Sequence, residues 1–538
     1  METSDTLNQH LLNVSCFVDD GGKSEEGEQL SVDQILDKYV GAFGKAQLVH
    51  VLIVSLGWAF DSMHTLIAVF ADAQPSWQCL TLNSKALYSS KNVTVTLPPR
   101  WCTPQSDICE MDPSVWEWVD GNGASVVSQW DLICHNKFKA GIPASLFFIG
   151  CILGAGILGS LADTCLGRKR TLILSCLIMS VSGFLTALSP NIWIYSSLRL
   201  ISGFGRAGVG ICSLVLSTEL VGHKWRGQIG LYGFLFFSAG FASLPTIAYM
   251  TKSSWRTTYI FISSLSMAYC CLFLPFIQES PRWLIIRKQE AEALKILRKM
   301  ATRNNNHLPQ NVGISVTANQ DISRTKSMKS ILVVPWARRR MAVLMAVGAG
   351  TGVVYYGMPL NIGNLNFNPY INTTLNALME VPAIAVGTLL LPITDRRILI
   401  SVSAGICALC CIICSFVSSG LMQIIAELTG FLAVCITFDV VYVFSLELFA
   451  TDVRTIAVAM LRQAVMAGAA MAPLAVVGGR THSFLSFLVF GGFAVLSALF
   501  TLILPETRNR PLCETMEEQG DEQAGGPRKS LLNTTTLT

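Results

Sequence analysis

The sequence predicts an all-α membrane protein of twelve transmembrane helices, arranged as two related six-helix halves. Three observations carry this. The 538 residues are 51% hydrophobic and 14% charged, with a mean hydropathy of +0.49, whereas about a quarter of the residues in soluble domains are charged. Twelve long apolar runs occur, each near the roughly 20 residues that a helix needs to cross about 30 Å of hydrocarbon, and none alternates as a barrel strand would. Charged clusters recur at matching places in the two sets of six.

The N-terminal tail, 1–45, is polar and acidic and shows no cleavable signal peptide, so it is expected in the cytoplasm. Within it Leu30, Val32, Ile35, Leu36, Tyr39, Val40 and Phe43 recur at helical spacing, which predicts a short amphipathic helix lying at the cytoplasmic membrane face. The first half, 46–278, holds apolar runs at 46–70, 140–161, 171–188, 192–217, 227–250 and 257–278. The second half, 341–504, holds runs at 341–361, 372–394, 398–417, 421–446, 455–478 and 483–504. Between the halves, segment 279–340 carries thirteen Lys and Arg against four Asp and Glu, which places it in the cytoplasm by the positive-inside rule. The loop 71–139, one helix after a cytoplasmic N-terminus, is then extracellular. Of seventeen cysteines, Cys79, Cys102, Cys109 and Cys134 fall in that loop and suit disulfides in an oxidising compartment, with three pairings open. Asn92 begins an Asn-Val-Thr acceptor for glycosylation there. The tail 505–538 is cytoplasmic, and from about residue 513 its polar, Glu- and Gly-rich composition predicts no fixed structure.

The duplication shows in charged motifs at the cytoplasmic helix ends. Glu219 with Arg226 after the fourth run matches Glu447 with Arg454 after the tenth, at the same seven-residue separation. Glu279 and Arg282 after the sixth run match Glu506 after the twelfth, and Asp163 with Arg168 after the second match Asp395 with Arg396 after the eighth. Repetition in both halves favours a latch of carboxylates and guanidinium groups that bridges the halves in one state and parts in the other, over simple interfacial anchoring.

Ionisable residues inside a membrane are expensive and mark a cavity or a partner. The apolar runs contain Asp61, His64, Arg199, Arg206, Glu380, Asp439 and Arg462. Asp61, His64, Glu380, Asp439 and Arg462 are candidate pathway residues, with an Asp439–Arg462 salt bridge as an equal alternative to substrate contact. The aromatic residues Trp58, Tyr232, Tyr355, Tyr356 and Tyr442 would suit a quaternary ammonium group through cation–π attraction. The run from Gly203 to Gly210 lacks the ending of a phosphate loop and lies inside a spanning helix, so close helix packing is its reading. No zinc spacing, nucleophile elbow or catalytic triad order is present, so no enzyme, cofactor or metal is expected, and the basic residues serve topology, not nucleic acid.

Val126-Val127-Ser128-Gln129-Trp130-Asp131-Leu132-Ile133-Cys134, Glu279-Ser280-Pro281-Arg282, Glu380-Val381-Pro382-Ala383, Glu447-Leu448-Phe449 with Arg454, and Pro505-Glu506-Thr507 together resemble the organic cation/carnitine transporter family of the major facilitator superfamily, over residues 30–512. Phe60-Asp61 and the extra residue in Asp163-Thr164-Cys165-Leu166-Gly167-Arg168 look like the plant members. The resemblance implies the six-plus-six major facilitator fold, a central cavity, alternating access, and carnitine or another small organic cation as the substrate, with a proton or sodium ion as the coupling partner, in a plasma or vacuolar membrane. Two departures bear on substrate charge: Met466 stands where relatives often carry a charged residue, and Asp439 replaces a more usual asparagine. A porter of sugars or organic anions, and a non-transporting receptor or scaffold, are the competing readings. The Trp130–Cys134 loop argues against sugars, the sign of the transported ion stays open, and the retained switching motifs argue against a receptor or scaffold.

Overall fold

The structure, a computed structural model, describes residues 29–79, 108–314, 328–365, 367–417, 420–480, 483–508 and 513–523. Among them are twelve helices long and apolar enough to span a membrane. In the first half they are α1 (Lys45–Leu66), α2 (Ile142–Asp163), α3 (Arg168–Ala187), α4 (Ile192–Glu219), α5 (Arg226–Met250) and α6 (Trp255–Leu272). In the second they are α7 (Pro335–Leu360), α8 (Pro369–Leu390), α9 (Arg396–Phe416), α10 (Leu421–Leu448), α11 (Arg454–Gly479) and α12 (Ser483–Ile503). Their outward faces carry large apolar side chains such as Leu153, Ile157, Val402, Leu409 and Leu499, which only a lipid surround makes favourable.

Packing repeats the duplication that the motifs announce. In the first half α1 packs on α4 and α5, α4 on α2 and α3, and α3 on α6. The second half repeats each contact: α7 on α10 and α11, α10 on α8 and α9, and α9 on α12. The halves meet along two seams, α2 with α11 and α5 with α8, which interchange under the same correspondence. Glycine makes the closest approaches. A Cβ on Gly203 would lie 1.9 Å from the Phe147 carbonyl oxygen, and one on Gly468 1.9 Å from that of Ala349, so the glycine run is a packing surface, as read.

Several connecting segments are more ordered than composition suggests. Helix α7 starts at Pro335, six residues before its apolar run, because Pro at the first helical position is pre-set for the helix while Arg338, Arg339 and Arg340 hide that turn from a hydropathy count. The polar segment before it forms helices Pro281–Ile286, Glu290–Arg303 and Met328–Val333. The amphipathic N-terminal helix exists, capped by Ser31 and Gln34 over Val32–Ile35. Its apolar residues Ile35, Leu36 and Val40 are buried against Trp283, Leu297 and Met300, so they are covered by protein, not lipid. Part of the C-terminal tail expected to lack structure is a helix, Met516–Gln523. Gln519 pins it by donating to the Leu448 carbonyl at 3.0 Å and accepting from the Ala450 amide at 3.1 Å.

In the loop after α1, short antiparallel strands Trp77–Cys79 and Trp116–Trp118 pair, and Cys109 is bonded to Cys134. Cys79 is also disulfide-bonded, while Cys102 and Asn92 lie outside the described residues.

Candidate functional site

Helices α1, α4, α5, α7, α8, α10 and α11 bring their polar side chains together between the halves. On α8, Glu380 is 6% exposed and held from both sides: Ser238 of α5, in the first half, donates to Oε2, and Tyr355 of α7 donates to Oε1 at 2.7 Å. Asp439 of α10 is near enough to Glu380 to feel its charge. Beside them Tyr355 stacks on Phe438 at 4.4 Å and on Phe431 at 6.0 Å, and Tyr442 meets Phe438 at a tilt, 5.1 Å away. Two carboxylates beside several π-faces make an environment for a desolvated cation.

Asp61 of α1 is fully buried, and its Oδ1 accepts from Arg206 Nε of α4 at 2.7 Å while Oδ2 has no hydrogen-bond partner. Arg206 also reaches the second half, donating to the sulfur of Met466 on α11 at 3.4 Å. Tyr356, whose ring meets Phe148 across the halves at 4.8 Å, lies beside Arg206. Arg462 crosses from α11 to the surface of α4 at Gly210 and acts on Asp61 at longer range. No Asp439–Arg462 salt bridge is present among the described residues; Asp439 faces Glu380 instead. The centre therefore holds three carboxylates against two guanidinium groups.

Two candidates lie elsewhere. His64 is buried in the interior of the first half, where Nε2 meets the Ser266 hydroxyl of α6 at 3.1 Å. Tyr232 packs with Val51, Val221 and Ile229 toward the motif-bearing end. Trp58 sits between, 6.1 Å from Phe234. Arg199 is taken by the His64 carbonyl at 2.9 Å and the face of Phe147 at 4.2 Å.

At the motif end, the charged groups tie helices within each half, by the same bonds twice over. Glu279 accepts from the backbone N–H groups of Arg168 (3.0 Å) and Lys169 (3.1 Å) at the start of α3; Glu506 accepts from those of Arg396 (3.1 Å) and Arg397 (3.0 Å) at the start of α9. A carboxylate at a helix N-terminus is favoured by the dipole and the free donors. Burial would raise Glu506, but the amides of Arg508, Arg397, Thr507 and Arg396 hold it below the usual glutamate value. Arg168 pairs with Asp163 at 3.1 Å and Glu219 at 3.8 Å, Arg396 with Glu447 at 3.0 Å, and Asp395 with Arg508 at 3.3 Å. Arg226 and Arg282 share a partner that the sequence did not single out, Asp33 of the N-terminal helix. Burial would raise Asp33; Arg282 and Arg226 outweigh it and keep the carboxyl low. Two guanidinium nitrogens of Arg454, Nε and Nη2, are buried without a partner.

At the opposite end the halves touch. Arg480, just past α11, donates to the Asp72 carbonyl, just past α1, at 2.6 Å. Tyr195 donates to Asp72 Oδ1 at 2.6 Å and meets Tyr259 at 2.8 Å. Phe70 stacks on Tyr370 at 5.3 Å. A cavity of about 690 Å³, lined among others by Trp77, Asp120, Lys252, Tyr370 and Arg480, lies beside this contact. The loop motif read in the sequence braces the same end: Trp130 packs edge-on against Tyr195 and Trp255, and Gln129 accepts from the Trp255 indole at 2.7 Å. Arg480 falls one residue beyond α11, and Asp72 one residue beyond a short helix, Ala68–Ala71, that follows α1; both lie just outside the apolar runs. Glu427, inside α10, is buried with Asn376; the rule that found Glu380 applies equally to it.

Twelve spanning helices, a two-fold related pair of halves and a buried polar centre between them define a membrane carrier of the major facilitator fold. The profile of the sugar (and other) transporter family matches residues 65–518. Organic cation/carnitine transporter 3 of Arabidopsis thaliana is 40% identical over 91% of this chain and 93% of its own length, and transporter 2 of that plant is 39% identical over 92% and 95%. The human organic cation/carnitine transporter 2 is 30% identical over 75% of this chain and 73% of its own. The chain belongs to the organic cation/carnitine transporter family. Among solved structures, the inward open conformation of the xylose transporter XylE from E. coli superposes with a TM-score of 0.60 at 17% identity, covering 86% of this chain and 98% of that one.

Proposed function

We propose that this chain is a secondary transporter that moves carnitine or a similar small organic cation by alternating access, coupled to a proton. The observation that carries it is Glu380, a buried carboxylate gripped by Ser238 of one half and Tyr355 of the other, so that the charge selecting a cation sits on the seam that must open and close. The ammonium group is assigned to the space between Glu380, Asp439 and the rings of Tyr355, Phe438 and Tyr442. Each π-face contributes about 0.5–2 kcal/mol to a desolvated cation. A zwitterion such as carnitine would turn its carboxylate toward Arg462, the half-buried guanidinium of the centre.

Asp61 is the proposed proton carrier. Its unpartnered Oδ2 can take a proton, and protonation loosens Arg206, whose other arm rests on Met466 of the opposite half. One proton thus alters a contact between the halves. With Arg480 closed on Asp72 at the loop end and the ion pairs of the motif clusters made within each half, not across the halves, the chain is assigned a state open on the motif side, which we take as cytoplasmic from the basic segment 279–340. In the opposite state the clusters bridge the halves as a latch. The plasma and vacuolar membranes both suit this orientation.

Equilibrium binding of radiolabelled tetraethylammonium, carnitine and xylose to purified protein tests the substrate class. Saturable binding of the first two that xylose does not displace is expected; saturable xylose binding without the others would overturn the reading.

A further inference from the structure

Glu427 is a buried carboxylate for which the transport cycle above has no use. It sits in the second turn of α10, 1% exposed, facing Asn372 and Asn376 of α8, which are fully buried. Asn376 Nδ2 donates to Glu427 Oε2 at 3.2 Å and to the Asn372 carbonyl at 3.0 Å. Both amide hydrogens of Asn376 are thereby used, and its Oδ1 is left without a partner. Glu427 Oε1 and both polar atoms of the Asn372 side chain make no hydrogen bond of good geometry, although the Asn372 amide lies close enough to act on the carboxylate. Cys411 and Cys414 of α9 lie beside the carboxylate, and among the described residues no Lys, Arg or His makes an ion pair with it. A lone carboxylate in a membrane interior needs a compensating positive charge. Three oxygens without a well-formed hydrogen bond, from one acid and two amides, are hard donors that suit a proton or an alkali ion better than a soft metal.

The site is wired to Glu380 along both helices. On α8, Asn376 and Glu380 are four residues apart and so share a face. On α10, Glu427 and Phe431 share a face in the same way; Phe431 stacks on Tyr355, and Tyr355 donates to Glu380. Glu427 is thus connected toward Glu380 by two routes, through Asn376 along one face of α8 and through Phe431 and Tyr355, by which a change in charge or spacing at Glu427 would reach the organic-cation site. We propose that Glu427, with Asn372 and Asn376, is a second cation site that holds one small monovalent cation, a proton or an alkali ion, and that its occupancy sets the affinity of the site at Glu380.

The second half of this inference rests on Glu380 as the substrate carboxylate, and the first half does not, so the test separates them. Purified protein in nanodiscs, without substrate, is unfolded thermally across pH 5 to 9, and then at fixed pH and ionic strength in lithium, sodium, potassium and caesium chloride. Glu427→Gln, a neutral mimic of the protonated acid, is run alongside. A midpoint that varies with the alkali ion in the native protein and not in the variant identifies an alkali ion. A dependence on pH alone that the variant reduces identifies a proton. A variant that tracks the native protein at every pH and in every salt overturns the site, since Glu427 is then a permanently protonated structural group. If Glu427→Gln does not fold, Asn376→Ala keeps the carboxylate and must shift the same dependence. Tetraethylammonium affinity measured at the two extremes should change about 5- to 150-fold in the native protein, the usual span of coupling between sites, and stay constant in Glu427→Gln. Cation dependence without any tetraethylammonium binding would leave the site standing and remove the organic-cation reading.

Discussion

Replacing Glu380 by Gln keeps the shape and one acceptor of the side chain while removing its charge. Tyr355 retains a carbonyl oxygen to donate to, and Ser238, whose oxygen lies 3.1 Å from the Phe234 carbonyl, can turn its single hydrogen there and accept from the new amide nitrogen. The loss of stability should therefore be about 1 kcal/mol, one ordinary hydrogen bond. The loss of binding is larger. An ammonium group about 5 Å from a carboxylate, in surroundings of effective dielectric about 20, interacts by about 3 kcal/mol, which is on the order of 100-fold in affinity. Ser238→Ala, which leaves the charge in place, should cost affinity about fivefold or less. Titration of tetraethylammonium against purified native, Glu380→Gln, Ser238→Ala and Asp439→Asn proteins gives the comparison. Unchanged affinity in both Glu380→Gln and Asp439→Asn would refute the assignment of the cation to these carboxylates.

Three further outcomes are expected. Asp61→Asn should abolish accumulation driven by a pH gradient while substrate exchange across the membrane survives, because the variant keeps a partner for Arg206 but cannot carry a proton; accumulation at the native level would contradict this role. Burial pushes the Asp72 carboxyl up to about 6, against the pull of Arg199, Tyr195 and Arg480. If opening the loop end hydrates Asp72 and returns it toward 3.8, the sealed state binds the proton more tightly. It should then gain on the order of tenfold between pH 7 and pH 5, a gain lost as pH rises through 6. Spin labels at Leu188→Cys and Phe416→Cys, both exposed at the loop end, should report a shorter mean distance at pH 5 than at pH 7, with the difference gone in Asp72→Asn. Arg168→Ala and Arg396→Ala should each slow turnover severalfold with little change in equilibrium affinity, since these groups tie helix ends and touch no part of the centre; equal losses in both would count against a latch.

The twelve helices were legible because a spanning helix advertises itself by length and apolarity; their boundaries differ most from the apolar runs at the start of α7, where Arg338–Arg340 mask a helical turn, and at the end of α6, which stops at Leu272 before Pro275, six residues short of its run. The duplicated motifs were legible because repetition distinguishes design from chance, and the matched capping of α3 by Glu279 and α9 by Glu506 gives that repetition a physical form. What hydropathy cannot supply is the direction around a helix axis. His64 lies three residues from Asp61, yet one meets α6 and the other α4. Asp439 and Arg462 share a depth but face different neighbours. The partner of Arg226 and Arg282 comes from the N-terminal tail, a contact no local pattern encodes.

On the proposed mechanism a small organic cation crosses the membrane through the seam at Glu380. Uptake of tetraethylammonium, choline and carnitine into proteoliposomes, with imposed voltage and pH gradients, tests it most directly. Saturable uptake of at least one of the three is expected, stimulated by an opposing proton gradient or an inside-negative voltage and weakened in Glu380→Gln. Absence of saturable uptake for all three, in vesicles shown to hold folded protein, would contradict it.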